Sequence, residues 1–143
     1  MRKQKGFTLI ELVVVIMIIG ILAAVAAPKL ISTSGAASDS AAKQSLGVVR
    51  DAIERYASDN AGAVPTLPNL TNMTVMGKYL RGAFPKCPVG AMKGTATVVT
   101  SGVSPPVAEA SPTCGWMYNP ASGEFIINST ATAADGTTVY SSM

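Results

Sequence analysis

Glu11 is the residue that calls for chemistry. It stands near the start of an apolar run from Phe7 to Ala27 in which no other residue carries a charge. A lone carboxylate inside a membrane helix costs several kcal/mol and normally has a partner. The positive end of the helix dipole favours an anion in the first turns by up to about 1 kcal/mol, too little to offset that cost. No basic residue within the run can serve, so a second positive charge has to come from outside it. Cutting the peptide bond after Gly6 would free an α-amine on Phe7, and the carboxylate of one copy could then meet the amine of its neighbour.

Other chemistry is poorly provided for. There is no histidine to act as a general base, and the acids are scattered without a recognisable pair. No serine sits in a Gly-x-Ser-x-Gly elbow and no glycine loop suits a phosphate, so neither an enzyme nor catalytic residues are expected. Cys87 and Cys114, without histidine, make a poor metal site, and no cofactor is expected. If their part of the chain is exported, a disulfide is the better reading. Closing a loop of about 28 residues would stabilise the fold by roughly 3–4 kcal/mol in the chain-entropy picture. The net charge of +3 lies entirely in Arg2, Lys3 and Lys5: without them the eleven basic residues fall to eight, matching the eight acidic ones. Lys78, Arg81, Lys86 and Lys93 share one short region, read here as a solvated loop, and nucleic acid is not an expected partner.

The element that must carry Glu11 is a helix. The 21 residues from Phe7 to Ala27 would extend about 32 Å, enough for the hydrocarbon of a bilayer. Three basic residues precede the run and none follows until Lys29, which favours a cytoplasmic N-terminus and an exported C-terminal part. A cleaved secretory signal, with Ala24-Val25-Ala26 before Pro28 as its site, is the competing reading. The length of the run and the acid near its beginning weigh against it. Gly20 and Pro28 should weaken or kink the helix.

Beyond Pro28 the pattern becomes amphipathic. Ala42, Leu46, Val49, Ile53 and Tyr56 form one stripe, with Lys43, Arg50, Asp51, Glu54 and Arg55 off it, and Ser58-Asp59-Asn60-Ala61-Gly62 reads as the helix end. The proline-rich stretch 61–95 reads as a loop with one short helix near Val75–Arg81. Strands are expected at Thr95–Thr100, Gly115–Asn119, Glu124–Asn128 and Thr137–Ser141, the middle two joined as a hairpin by Pro120-Ala121-Ser122-Gly123. The stretch 101–112, rich in proline and serine, is expected to be a mobile surface loop. Much of the 48% apolar content lies in the first quarter of the chain and aromatics make up 6%, so the soluble part has a thin core and forms one domain. The expected class is α+β: a long N-terminal helix packed on a small C-terminal antiparallel β-sheet.

Lys5-Gly6-Phe7-Thr8-Leu9-Ile10-Glu11, behind a short basic leader and ahead of an apolar stretch, resembles the processing motif of type IV pilins and the pseudopilins of type II secretion. The resemblance implies a pilin fold divided into a leader (1–6), a transmembrane and assembly helix (7–28), an amphipathic helix (29–60), a connecting loop (61–95) and a small sheet (96–143) pinned by the Cys87–Cys114 loop. It also implies cleavage after Gly6 by a prepilin peptidase, N-methylation of Phe7, and a bridge from Glu11 to a neighbouring amine in a homopolymer. The partners it implies are the inner membrane before assembly and an inner-membrane assembly platform, with the C-terminal domain periplasmic or extracellular. Pro28 and the stretch "IERYASDNAGAVPT" fit the same family. Major pseudopilins carry an Asp-Pro-Trp-Gly stretch and late acidic residues that hold calcium. Here Cys87-Pro88-Val89-Gly90 stands instead, with only Glu124 and Asp135 late in the chain, so calcium is not expected. A membrane-tethered adhesive or DNA-binding minor pilin is the alternative within the family.

Overall fold

The computed structural model describes residues 6–72, 78–112 and 115–143. In chain order they form helix α1 (Leu9–Asp59), helix α2 (Leu67–Asn72), strands β1 (Val98–Thr100), β2 (Trp116–Tyr118) and β3 (Phe125–Ile127), and a 3-10 turn at Tyr140–Ser142. The chain divides after Ser34 into two compact units. In the first, α1 runs without a break through Gly20 and Pro28. Its large apolar side chains are exposed all round, from Leu9 to Ile31.

The second unit is built on the expected stripe. Ala42, Leu46, Val49 and Ile53 are buried, Ala52 joins them, and Tyr56 packs against their edge. They meet Trp116, Tyr118, Phe125 and Ile127, which alternate along β2 and β3 and so share one face of the sheet. Trp116 stacks on Phe125 with ring centroids 5.1 Å apart. Met117 and Ile126, paired on the opposite face, are buried as well. The hairpin turn needs its glycine: Gly123 has φ +79, and a Cβ there would stand 2.8 Å from Val64.

The sheet is α+β in its setting but mixed, not antiparallel. Its order is β1-β2-β3, with β1 parallel to β2 and β2 antiparallel to β3. A parallel pair needs a crossover of a dozen or more residues, and the stretch 101–115 between β1 and β2 supplies it. Three side-chain hydrogen bonds tie this crossover to the hairpin. Asn119 Nδ2 donates to the Val103 carbonyl at 2.9 Å, Ser104 Oγ to Glu124 Oε2 at 2.7 Å, and the Glu109 amide to Asn128 Oδ1 at 2.8 Å. Pro106, within it, is buried.

The expected fourth strand is a bridge between Thr132 and Val139 followed by the 3-10 turn. Asp135 accepts the amides of Thr137 and Thr138 and the Thr138 hydroxyl, a local turn that competes with a ladder. These bonds hold the Asp135 carboxyl down at about 2. The short helix lies at Leu67–Asn72 instead of Val75–Arg81. Pro68 is tolerated in a first turn, where its missing N–H is no loss, and Thr66 O accepts the Leu70 amide at 2.9 Å. Of the expected helix, residues 75–77 lie outside the described residues, and Lys78–Arg81 are not helical.

α1 ends as read, with one difference. The Gly62 amide reaches back to the Ala57 carbonyl at 2.8 Å, a bond that closes the helix, and the left-handed residue between is Ala61 at φ 55. An alanine there costs roughly 1–2 kcal/mol that a glycine does not. Ala61→Gly should therefore raise stability by about 0.5–1 kcal/mol in denaturant titration, part of the gain being offset by the freer unfolded chain.

Two prolines act as main-chain acceptors for the core aromatics: Tyr118 donates its hydroxyl to Pro65 O at 2.7 Å and Trp116 Nε1 donates to Pro85 O at 2.9 Å. Burial pushes the Tyr118 hydroxyl up to about 12. Tyr140, desolvated and donating to Asp39, also rises to about 12. Both tyrosines bind their protons more tightly folded than unfolded, so their contribution to stability is constant below about pH 10 and falls as pH rises towards about 12. A melting series should show that fall, with Tyr118→Phe flattening part of it.

Candidate assembly site

Residues 6–8, just ahead of α1, are not helical, and the helix begins with a reciprocal cap. Glu11 Oε2 accepts the Thr8 amide at 2.8 Å and the Thr8 hydroxyl at 2.7 Å, while the Glu11 amide donates to Thr8 Oγ1 at 3.3 Å. This is a capping box, Thr8-x-x-Glu11, and its spacing was legible in the sequence although only the charge of Glu11 was read there. The acid thus has local hydrogen bonds within its own chain, though still no cation. Glu11 Oε1 carries no bond among the described residues. Beside it, Phe7, Ile10, Val14 and Val15 line a hollow of about 340 Å3 with Glu11 at its edge, and Phe7 is 82% exposed.

Among the described residues, a Cβ added at Gly6 meets nothing within 4 Å. The same is true of Gly20. Among the described residues, α1 is the helix long and apolar enough to cross a membrane. At about 1.5–3 kcal/mol for each large apolar side chain left in water, the exposed set from Phe7 to Ile31 amounts to tens of kcal/mol. That exceeds the whole stability of an ordinary domain. Lipid or protein must cover this helix.

Cys87 is buried, and its thiol donates to the Val89 carbonyl at 3.3 Å. It is a free thiol in this structure; burial pushes its pKa up, and Cys114 lies outside the described residues. Gly115 lies hard against it, since a Cβ on residue 115 would come 2.6 Å from Cys87 Cβ and 2.7 Å from Thr95 Oγ1. Of the basic cluster, Lys78 is engaged, 2.8 Å from Asp59 Oδ2 and 5.0 Å from the Tyr79 ring centroid. Lys78 holds the Asp59 carboxyl below its usual range, helped by the Tyr79 hydroxyl. Arg81, Lys86 and Lys93 are exposed. Among the described residues no three His, Cys, Asp or Glu side chains are placed to hold a metal ion. Glu124 is taken up by the Ser104 and Ser122 hydroxyls, and Asp135 by its own turn.

A long N-terminal helix and a small mixed sheet, headed by a capped and exposed apolar segment, make an α+β chain. Residues 1–27 match the prokaryotic N-terminal methylation motif. The chain is similar to type II secretion system core protein G of Pseudomonas aeruginosa, 42% identical over 59 residues, which is 41% of this chain and 42% of that protein. Core protein G of Escherichia coli is 40% identical over 58 residues, 41% of this chain and 40% of that protein. Fimbrial protein EcpC of Eikenella corrodens is 38% identical over 102 residues, 70% of this chain and 63% of that protein. The chain spans less than half the length of the core protein G relatives it matches. No solved structure matches it. The matches are to proteins named as fimbrial proteins and as secretion-system core proteins.

Because Gly115 is in van der Waals contact with Cys87, Gly115→Ala should overpack this corner. A loss of about 1–3 kcal/mol in chemical unfolding is expected.

Proposed function

We propose that this chain is the structural subunit of a type IV pilus-like filament or type II secretion pseudopilus, anchored in the inner membrane by α1 before assembly. The observation that carries the reading is a methylation motif set on an apolar helix whose side chains have no cover of their own. A prepilin peptidase cuts after Gly6, and Phe7 becomes the methylated N-terminus. The Glu11 of one subunit then meets the Phe7 amine of the next, with Thr8 holding one carboxylate oxygen and leaving the other free. The same apolar surface serves twice, facing lipid before assembly and neighbouring helices afterwards. Gly20 and Pro28 mark the turns most able to bend as helices pack, because one lacks a side chain and the other a backbone donor.

The orientation follows from the basic leader, with the N-terminus cytoplasmic and residues 35–143 periplasmic or in the extracellular filament. A Cys87–Cys114 disulfide closes the loop beside β2, a pairing supported by the contact of Gly115 on Cys87. The fimbrial alignment reaches over 102 residues against 59 for the first core protein G, which favours a pilus filament over a pseudopilus.

Mass spectrometry of purified material should find Phe7, methylated, as the first residue. A chain that retains residues 1–6 or begins near Pro28 overturns the reading. Glu11→Ala should leave membrane insertion unchanged while reducing filaments by tenfold or more, on the order of the penalty for leaving one buried charge without its partner.

A further inference from the structure

The second unit carries two surfaces of opposite charge that its own fold leaves unused. One is a groove of about 450 Å3 between α1 and the β2–β3 turn, closed on a third side by the crossover. Ile53, Val64, Pro106 and Ile126 supply apolar walls, and Glu54 and Glu124 stand along it. Arg50 also reaches the groove, and two of its five donors are taken up within the fold, Nε by the Phe125 carbonyl at 3.0 Å and Nη1 by the Met143 carbonyl at 2.8 Å. The Glu124 carboxyl is held below its usual range by the Ser122 and Ser104 hydroxyls and stays charged. Two carboxylates against one committed guanidinium leave the groove negative.

The other surface is a rigid basic knuckle. The stretch from Ala61 to Ala108 contains no acid. Within it the Cys87 amide donates to the Thr95 carbonyl at 2.8 Å and the Gly94 amide to the Cys87 carbonyl at 2.7 Å. These bonds close a loop from Cys87 to Thr95, with Lys86 next to its start and Lys93 next to its end. Trp116 Nε1 anchors that loop through the Pro85 carbonyl at 2.9 Å. Both lysines are exposed and have no partner among the described residues. Lys78, the third amine of this stretch, is already held by Asp59.

We propose that the groove of one copy receives the Lys86/Lys93 knuckle of a second copy, two ammonium groups against Glu54 and Glu124. The proposal rests on the filament reading above and names the contact between its globular parts. Groove and knuckle are different patches of one surface, so the contact is head-to-tail and propagates into a helical polymer instead of closing a dimer. Ion pairs at such a rim set register and partner choice, while cohesion is left to the apolar helix.

The test is charge reversal in the full-length protein, read as the sedimentable filament fraction. The unmutated chain must polymerise; if it does not, the filament reading falls and takes this contact with it. Glu54→Lys with Glu124→Lys should lower assembly about tenfold, as should Lys86→Glu with Lys93→Glu, because each sets like charges face to face. Combining all four substitutions should bring assembly back to within about threefold of the unmutated chain, since the opposed signs return. Unchanged assembly in either pair overturns the contact while leaving the filament intact. Failure of the combination to restore assembly overturns it as well and assigns the groove to another occupant, a different protein or a small cation. Should Glu124→Lys disturb its serine bonds, Glu54→Lys alone, on an exposed side chain, carries the same test against the lysine pair. Unfolding midpoints that match the unmutated chain exclude a folding defect.

Discussion

Everything in this molecule follows from an apolar helical surface that the chain cannot cover by itself. From Phe7 and along α1 to Ile31 the large side chains point into the surroundings on every side. No arrangement of the second unit's thin core could compensate for leaving them in water. The helix is therefore stable only in company, first of lipid and then, on our reading, of other helices. This two-environment demand accounts for the low charge density of the segment. It also accounts for the one acid, which must be satisfied in both settings.

The capping box meets part of that demand within a single chain. Thr8 and Glu11 satisfy two amides that a helix start leaves without partners, and the arrangement travels with the helix wherever it goes. It engages one carboxylate oxygen but supplies no positive charge, so a cation remains wanted. A free amine at Phe7 of a neighbour is the group that cleavage would create at the right depth.

The second unit solves a different problem, that of building a domain from few aromatics and a three-stranded sheet. It does so by giving both faces of the hairpin something to bury. Trp116, Tyr118, Phe125 and Ile127 take the helix stripe, and Met117 and Ile126 are buried on the other side of the same strands. The loops are held by buried side chains that bond to main-chain groups: Tyr118 and Trp116 to proline carbonyls, Asn119 to Val103, and Asn128 to the Glu109 amide. Such bonds matter more here than in a large domain, because a buried donor left unmade would cost as much as a good part of the core contributes. Arg50 extends the same device from α1 to Phe125 and Met143, at the expense of partly burying a charge.

Local pattern was enough for α1, its apolar stripe, its closing turn and the middle hairpin, since each is written in spacings of two or of three and four residues. The Glu11 position, the basic leader and the glycine before Phe7 were equally plain, because they are contiguous. What sequence spacing could not decide was partnership across distance. The direction of β1 depended on where its crossover runs, the fate of Thr137–Ser141 on Asp135 capturing nearby amides, and the anchoring of 101–112 on Asn119, Asn128 and Glu124, which come later in the chain. Those contacts exist only once the hairpin has folded, so tertiary structure alone could assign them.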